Sequence, residues 1–272
     1  GSTICFNGDF NWFNVDDDGF AAVNRRVLQN DATLGNVEAE FGTDSAEVGC
    51  GCAYPPSVAD AVVERSNRIH ARLKATAARH PALVERLLAL PMIARYRVGQ
   101  CRVGIVHGDA KSLAGWRFDV AALDEADATR WITAAFATAQ VDVFASTHTC
   151  LPALRRFALA GEHTGWVINN GAAGMPNMRG RLHGLCTRVG LAPSPHPALR
   201  EVLVAGAHIA LLPVRYDVAR WQASFLANWP PGSPAWLSYF NRISRGPAFD
   251  AERVAASRDR PHAASHELST RS

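Results

Sequence analysis

The feature that most constrains the fold of this 272-residue chain is a set of short apolar runs that each end in glycine and polar residues. Two of these runs, at 102–106 and 141–145, are separated by a helical stretch at about 124–138. Such alternation predicts an α/β domain, in which functional side chains collect at the carboxyl ends of strands. The four polar clusters at the ends of the runs are Gly8-Asp9, Gly35-Asn36-Val37-Glu38, His107-Gly108-Asp109 and Thr147-His148-Thr149-Cys150.

Other segments fit the same alternation. Residues 3–6 predict a first strand, and the acidic run at 16–18 predicts a helix N-terminus, with a cation site as the alternative. The stretch 57–90 has helical spacing, and Pro81 is expected to divide it into two helices. Further strands are expected near 154–159, 165–169 and 205–213. We expect one domain over residues 1–249 and a disordered tail over 250–272, which has little to bury.

Composition excludes several classes of protein. Apolar residues make up 48% of the chain, which indicates a globular core, and 28 Lys and Arg face 25 Asp and Glu. This near balance of positive and negative charge does not indicate a surface that binds nucleic acid or a membrane. No run approaches the roughly 18 apolar residues of a membrane span, and no secretory signal is visible, so a cytoplasmic location is expected.

Cysteine usage argues against a disulfide framework. The chain has six cysteines at irregular spacing, and we expect most of them to be buried or reduced thiols. Cys50 and Cys52 are separated by a single glycine, which is too tight for a zinc knuckle.

The four clusters together suggest a metal centre. A Gly-Asp pair or a single histidine has little meaning alone. In combination, a carboxylate from Asp9, an amide from Asn36 and imidazoles from His107 and His148 provide mixed oxygen and nitrogen ligands. Such a set suits a borderline divalent ion such as Mn, Fe or Zn.

In their order along the chain, the clusters resemble the motifs of the calcineurin-like metallophosphoesterases. That family has the series D-x-H, G-D-x-x-[DN], G-N-[HCV]-[DE], H-G-[DH] and G-H-[TS]-[HC]. Residues 166–174 and 212–217 resemble two later strands of the family, so the resemblance runs from about residue 3 to residue 217. It implies a four-layer α/β/β/α sandwich of two mixed sheets.

The resemblance also implies roles for the cluster residues. Asp9 would bridge two divalent ions, and Asn36, His107 and His148 would complete the second metal site. Cys150 stands where the family has a histidine that serves the first metal, with an inert buried thiol as the alternative.

Two acidic residues lie beside these ligands in the chain. Asp109 directly follows the His107-Gly108 pair and would accept an imidazole N–H, unless it is a plain turn aspartate. Glu38 lies two residues after Asn36 and is expected to support the metal-binding residues.

Two departures from the family pattern affect the expected chemistry. Val37 stands where many family phosphatases have a histidine that assists the leaving group. A related branch of small bacterial and archaeal phosphodiesterases also has a residue other than histidine at this position. Only seven residues precede Gly8, so the D-x-H motif and the first β-α element have no counterpart in this sequence. Either the sequence is an N-terminally clipped piece of a longer protein, or the first metal site is incomplete.

These expectations define two functional hypotheses. The first is a metal-dependent phosphoesterase with two divalent ions, which hydrolyses a small phosphodiester or activated phosphomonoester through a metal-bridging hydroxide. Nucleic acid would enter only as a possible substrate. The second is a catalytically impaired scaffold of the same fold that binds a protein partner.

Overall fold

Strands and helices alternate along the chain, as the sequence predicts. The computed structural model describes residues 2–43 and 49–255. The strands are β1 (Cys5–Asn7), β2 (Asp31–Thr33), β3 (Ile93–Val98), β4 (Cys101–Val106), β5 (Val143–Ser146), β6 (Pro152–Ala158), β7 (Thr164–Asn170), β8 (Gly184–Gly190), β9 (Arg200–Val204) and β10 (Ala207–Val214). The α-helices are α1 (Asp17–Val27), α2 (Asn36–Ala39), α3 (Asp60–Ala77), α4 (Pro81–Leu88), α5 (Val120–Asp124), α6 (Ala128–Ala139), α7 (Val218–Asn228) and α8 (Pro234–Arg245). Short 3₁₀ helices cover Glu40–Gly42, Ala160–Glu162 and Ala251–Ala255.

The strands of the described residues form three sheets. The largest has the order β3-β4-β5-β7-β6, with a parallel centre and antiparallel edges. A second, antiparallel sheet has the order β8-β10-β9, and β1 and β2 pair only with each other, in parallel. The α/β class is therefore confirmed. The resemblance implied two mixed sheets, but among the described strands only the largest sheet is mixed. The antiparallel sheet β8-β10-β9 and the parallel pair β1-β2 are not hydrogen-bonded to each other.

The main apolar core lies between the two larger sheets and beneath α5 and α6. Val143 and Val167 from the mixed sheet are fully buried, together with Ile209 and Leu211 from the antiparallel sheet. Helix α6 covers the core with Ile132. Burying one such side chain contributes about 1.5–3 kcal/mol, so this core fixes how the sheets pack.

A second core is built mostly from helices. Phe20, Leu73 and Trp229 are buried among α1, α3, α4, α7 and α8. The Asp16 carboxylate accepts the Gly19 N–H and caps α1, which agrees with the helix N-terminus predicted at the acidic run. Helix α4 begins at Pro81, so the predicted division of 57–90 into two helices is confirmed. Within the described ranges, no helix combines the length and the apolar character that crossing a bilayer requires.

The described residues of the expected tail contact the main core. Residues 251–255 form a 3₁₀ helix, and Val254 is fully buried against the main core. The guanidinium of buried Arg155 donates to the carbonyls of Val254 and Arg253 and pairs with Asp124. The prediction of disorder is thus wrong for 251–255, because a partner distant in sequence binds this segment. Residues 256–272 lie outside the described part of the chain.

Arg155→Met is expected to lower the free energy of unfolding by about 2 kcal/mol. The variant keeps the apolar stem but leaves the carbonyls of Arg253 and Val254 without their charged donor. Urea denaturation measures the change, with the exposed neighbour Arg156→Met as the control. Equal midpoints for the two variants would show that Arg155 does not hold the C-terminal segment.

Candidate metal centre

Parallel strand pairs bring the predicted ligands to one place. Asp9 follows β1 and Asn36 follows β2, while His107 follows β4 and His148 lies two residues after β5. Because β1 pairs with β2 and β4 with β5 in parallel, each pair presents its carboxyl ends together. The strand-end placement predicted for these four residues is what the structure shows.

Asn7 connects the two pairs of strands. Its side-chain amide donates to the Val106 carbonyl (2.9 Å), and its Oδ1 accepts from the Thr33 hydroxyl (2.8 Å). Its own carbonyl lies 2.8 Å from Nδ1 of His107, so that nitrogen donates and Nε2 is directed into the site. Asn7 was not among the predicted site residues, although its position at the end of a strand beside Gly8-Asp9 was the available signal.

The ligand atoms converge around Nε2 of His107. This nitrogen is 3.1 Å from Oδ2 of Asp9, 3.1 Å from Oδ1 of Asn36 and 3.2 Å from Nδ1 of His148. Among the described residues, Asp9, His107 and His148 form a group whose ligand atoms all lie within 4.8 Å of one another. Acceptors that converge on a single point in this way fit a divalent cation, which would take the place of a shared proton.

Two glycines allow the strand ends to approach this closely. Gly8 has φ +69°, and a Cβ there would lie 2.5 Å from the Cα of Gly35 and 2.7 Å from Nδ1 of His107. A Cβ at Gly35 would overlap the backbone nitrogen and the carboxylate of Asp9. The glycines of both motifs are therefore required by the contact between the loops.

Comparisons with known proteins support the fold. No protein-family model and no curated protein matches the chain. A solved structure of a metallophosphoesterase from Sphaerobacter thermophilus matches with a TM-score of 0.51 and 15% sequence identity, covering 91% of this chain and 90% of that one. This chain has a metallophosphoesterase fold. A hypothetical protein from Pyrococcus horikoshii OT3 matches with a TM-score of 0.49 and 12% identity, over 85% of this chain and 79% of that one.

The charges of the site are distributed unequally within this metallophosphoesterase fold. Burial acts to raise the pKa of Asp9, but the charge and hydrogen bond of His107 hold it below the usual range. Burial lowers and Asp9 raises the pKa of His107, with a net increase. Burial, followed by the charge of His107, lowers the pKa of His148 to about 4. Near neutrality Asp9 is therefore ionised and His148 is neutral, and the negative charge of Asp9 favours a second ring proton on His107.

Glu38 supports the Asp9 backbone. It is fully buried, and its carboxylate accepts from the Asp9 N–H (2.7 Å) and from the backbone and side chain of Asn11 (3.2 and 3.0 Å). Burial, followed by the charge of Asp9, raises the pKa of Glu38 to about 7. Glu38 therefore orients the loop that carries the Asp9 carboxylate.

Asp109 has a different role from the one predicted. Its carboxylate accepts backbone N–H groups of Lys111, Ser112 and Arg117 and so shapes the loop after β4. The two imidazoles are hydrogen-bonded to backbone carbonyls instead: His107 to the carbonyl of Asn7 and His148 to the carbonyl of Cys52. The prediction that Asp109 accepts an imidazole N–H is wrong, and the turn alternative is correct.

Cys150 lies beside the group rather than within it. Its thiol contacts the carbonyl of His148 at 3.5 Å, and its backbone has φ +59°. Burial raises the pKa of this thiol; the positive charge of Arg242 lowers it and the negative charge of Asp9 raises it, with a net increase. Its sulfur does not belong to the ligand group found in the described residues, and ligation by Cys150 remains a prediction.

The prediction that most of the cysteines are thiols is confirmed, but one disulfide is present. Cys5, Cys101, Cys150 and Cys186 are free thiols, whereas Cys50 and Cys52 form a disulfide. Gly51, at φ +65°, lets the chain turn back within three residues, and this conformation brings the two sulfur atoms together.

Proposed function

We propose that this chain is a metal-dependent phosphoesterase that hydrolyses a small phosphodiester or an activated phosphomonoester. The observation that carries the proposal is the convergence of Asp9, Asn36, His107 and His148 at strand ends of a metallophosphoesterase fold. The site offers one carboxylate, one amide oxygen and two imidazole nitrogens, a set that suits Mn, Fe or Zn.

The chain's own residues would hold the metal in a defined orientation. Bound divalent ions neutralise phosphate oxygens and lower the pKa of a coordinated water. The Val37 N–H donates to Oδ1 of Asp9 at 3.0 Å, which leaves Oδ2 directed at His107. Asn36, His107 and His148 would complete one ion site, and Asp9 with Cys150 would contribute to a second.

Val37 supports the choice of substrate class. Its side chain is 1% exposed and belongs to the helical core, so this position supplies no proton donor to a leaving group. A good leaving group departs without protonation, whereas a poor alkoxide needs an acid. An aryl phosphodiester or another ester with an acidic leaving group therefore fits the site better than an alkyl monoester.

The test compares two aryl substrates with metal-free and metal-loaded protein. We expect turnover of bis(4-nitrophenyl) phosphate to require added Mn²⁺ and to exceed that of 4-nitrophenyl phosphate. Metal analysis of the same samples gives the number of ions per chain. A folded protein that binds no transition metal and cleaves neither ester would contradict the proposal and favour the scaffold hypothesis.

Metal affinity is expected to depend on pH through His107. Mn²⁺ must displace the proton on Nε2, and the pKa of His107 lies above its ordinary value of 6.5. Below that pKa, apparent affinity should fall about tenfold per pH unit, and above it the affinity should level off. His148, with a pKa of about 4, adds no proton competition near neutrality. Calorimetric titration from pH 5.5 to 8 measures this dependence, and a flat profile would contradict it.

A further inference from the structure

We propose that the Cys50–Cys52 disulfide is a redox-controlled support of the metal centre. In the disulfide form, its loop holds two ligands in a metal-binding orientation. Reduction by a thiol then weakens metal binding. The inference rests on the proposed function, because it concerns regulation of the same site.

The loop first orients Asn36. The side-chain amide nitrogen of Asn36 donates to the carbonyl of Cys50 at 3.0 Å and lies 3.7 Å from Sγ of Cys52. An asparagine side chain has one donor end and one acceptor end. Holding its nitrogen on the loop therefore directs its oxygen to the site, where it lies 3.1 Å from Nε2 of His107.

The same loop also orients His148. Nε2 of His148 lies 3.3 Å from the carbonyl of Cys52, so this nitrogen carries the proton. Nδ1 is then left without a proton and faces the ligand group, 3.2 Å from Nε2 of His107. Hydrogen bonds of this kind fix the tautomer of a metal-binding imidazole, and losing them typically costs about 10–100-fold in metal affinity.

The conformation of the loop depends on the crosslink. Residues 49–55 contain neither helix nor strand, and both Gly51 (φ +65°) and Ala53 (φ +45°) are left-handed. Left-handed backbone is unfavourable for alanine, so the loop gains by relaxing once it is free. Besides its contacts with Asn36 and His148, the loop has hydrogen bonds from the Cys50 N–H to Asn67, from the Trp116 indole to the Cys52 carbonyl and between the hydroxyls of Tyr54 and Ser66.

Reduction consumes two thiols and no other reactant. A low-molecular-weight thiolate, such as that of glutathione, attacks one sulfur, breaks the S–S bond and forms a mixed disulfide while the other cysteine leaves as a thiolate. A second thiolate attacks the mixed disulfide, which releases the second cysteine thiolate and the oxidised reductant. Both cysteine thiolates then take up protons, so two electrons and two protons have been transferred. Cys52 is 8% exposed and Cys50 is 2% exposed, so Cys52 is the more exposed residue of the pair.

The test compares Mn²⁺ affinity in the two redox states of the wild-type protein. Mn²⁺ is chosen because it binds thiolates weakly, so the released thiols cannot replace the lost support. The protein is reduced, the reductant is removed without oxygen, and thiols are counted under denaturing conditions. We expect the count to rise by two, the Mn²⁺ affinity to fall about 10–100-fold, and oxidised glutathione to restore both.

Two variants sharpen the comparison. The double variant Cys50→Ser/Cys52→Ser is expected to bind Mn²⁺ as weakly as the reduced protein, whatever the redox conditions. Cys186→Ser removes a free thiol on β8 and should keep the full redox response. If the double variant does not fold, the wild-type comparison still decides the question.

The outcomes separate this inference from the proposed function. Equal Mn²⁺ affinity in both states, with the thiol count confirming reduction, overturns the inference and leaves the phosphoesterase proposal standing. Redox-dependent Mn²⁺ binding without hydrolysis of either aryl ester supports the inference and contradicts the proposed activity. No Mn²⁺ binding in either state overturns both.

Discussion

Replacement of Asp9 by asparagine is expected to lower Mn²⁺-dependent turnover of an aryl phosphodiester by more than about 100-fold. Loss of a residue that only supports a metal ligand already lowers metal affinity or activity about 10–100-fold, and Asp9 is itself a candidate ligand. The substitution removes the only carboxylate of the ligand group found in the described residues. Bound Mn²⁺ per chain should fall together with turnover.

The variant is expected to keep its fold. The asparagine Oδ1 can still accept the Val37 N–H, and the buried His107 can lose its added proton, so no buried charge is left unpaired. His107 loses the anion that raises its pKa, so its imidazolium should deprotonate at lower pH than in the wild type.

Asp18→Asn serves as the matched control, because Asp18 is an exposed carboxylate in α1, away from the ligand group. Steady-state kinetics, metal analysis and a thermal midpoint are measured for both variants. Unchanged turnover in a folded Asp9→Asn protein would contradict the proposed role of this carboxylate.

Gly35→Ala should have the second-largest effect, on stability and on the metal site together. The backbone at Gly35 has φ −104° and ψ 166°, which alanine adopts without strain, so only crowding opposes the substitution. The added methyl group would overlap the Asp9 backbone and carboxylate and would lie 2.8 Å from Oε2 of Glu38. We expect a loss of about 1–3 kcal/mol in the free energy of unfolding, because a crowded site must shift its neighbours.

The same shift should impair metal binding. Moving the Asp9 carboxylate away from His107 separates two members of the ligand group, so Mn²⁺ affinity should fall with stability. Urea denaturation and calorimetric titration measure the two effects.

Gly174→Ala provides the control for this substitution. A Cβ at Gly174 meets no atom within 4 Å, and stability should change by less than about 0.5 kcal/mol. If Gly35→Ala behaved like Gly174→Ala in both assays, the close contact between the Asp9 and Asn36 loops would not be required.

Local patterns were sufficient to place the predicted ligands at strand ends. Gly-Asp after residues 3–6 and His-Gly-Asp after residues 102–106 each lie within a few residues of the strand that positions them. The same applies to the helix break at Pro81 and the acidic cap of α1. These features depend on backbone geometry and near neighbours, which the order of residues specifies directly.

Hydrogen-bond partners were the least predictable part of the site. Asp109 could accept either an imidazole or backbone N–H groups, and only the folded loop shows that it takes the latter. Arg155 fixes residues almost a hundred positions later, at Val254. A polar side chain can satisfy its hydrogen bonds in many ways, and tertiary packing selects among them.

By itself, the sequence determined the α/β class, the four strand-end clusters and the residue types that suit a divalent ion. Tertiary structure alone decided that Asn7 joins the two strand pairs and that the Glu38 carboxylate accepts the backbone N–H of Asp9. It also decided that Cys50 and Cys52 form a disulfide whose loop contacts Asn36 and His148. Strand and helix patterns arise from neighbours in the chain. The contacts that orient a metal ligand join residues far apart in sequence, and they exist only once the sheets and loops have packed together.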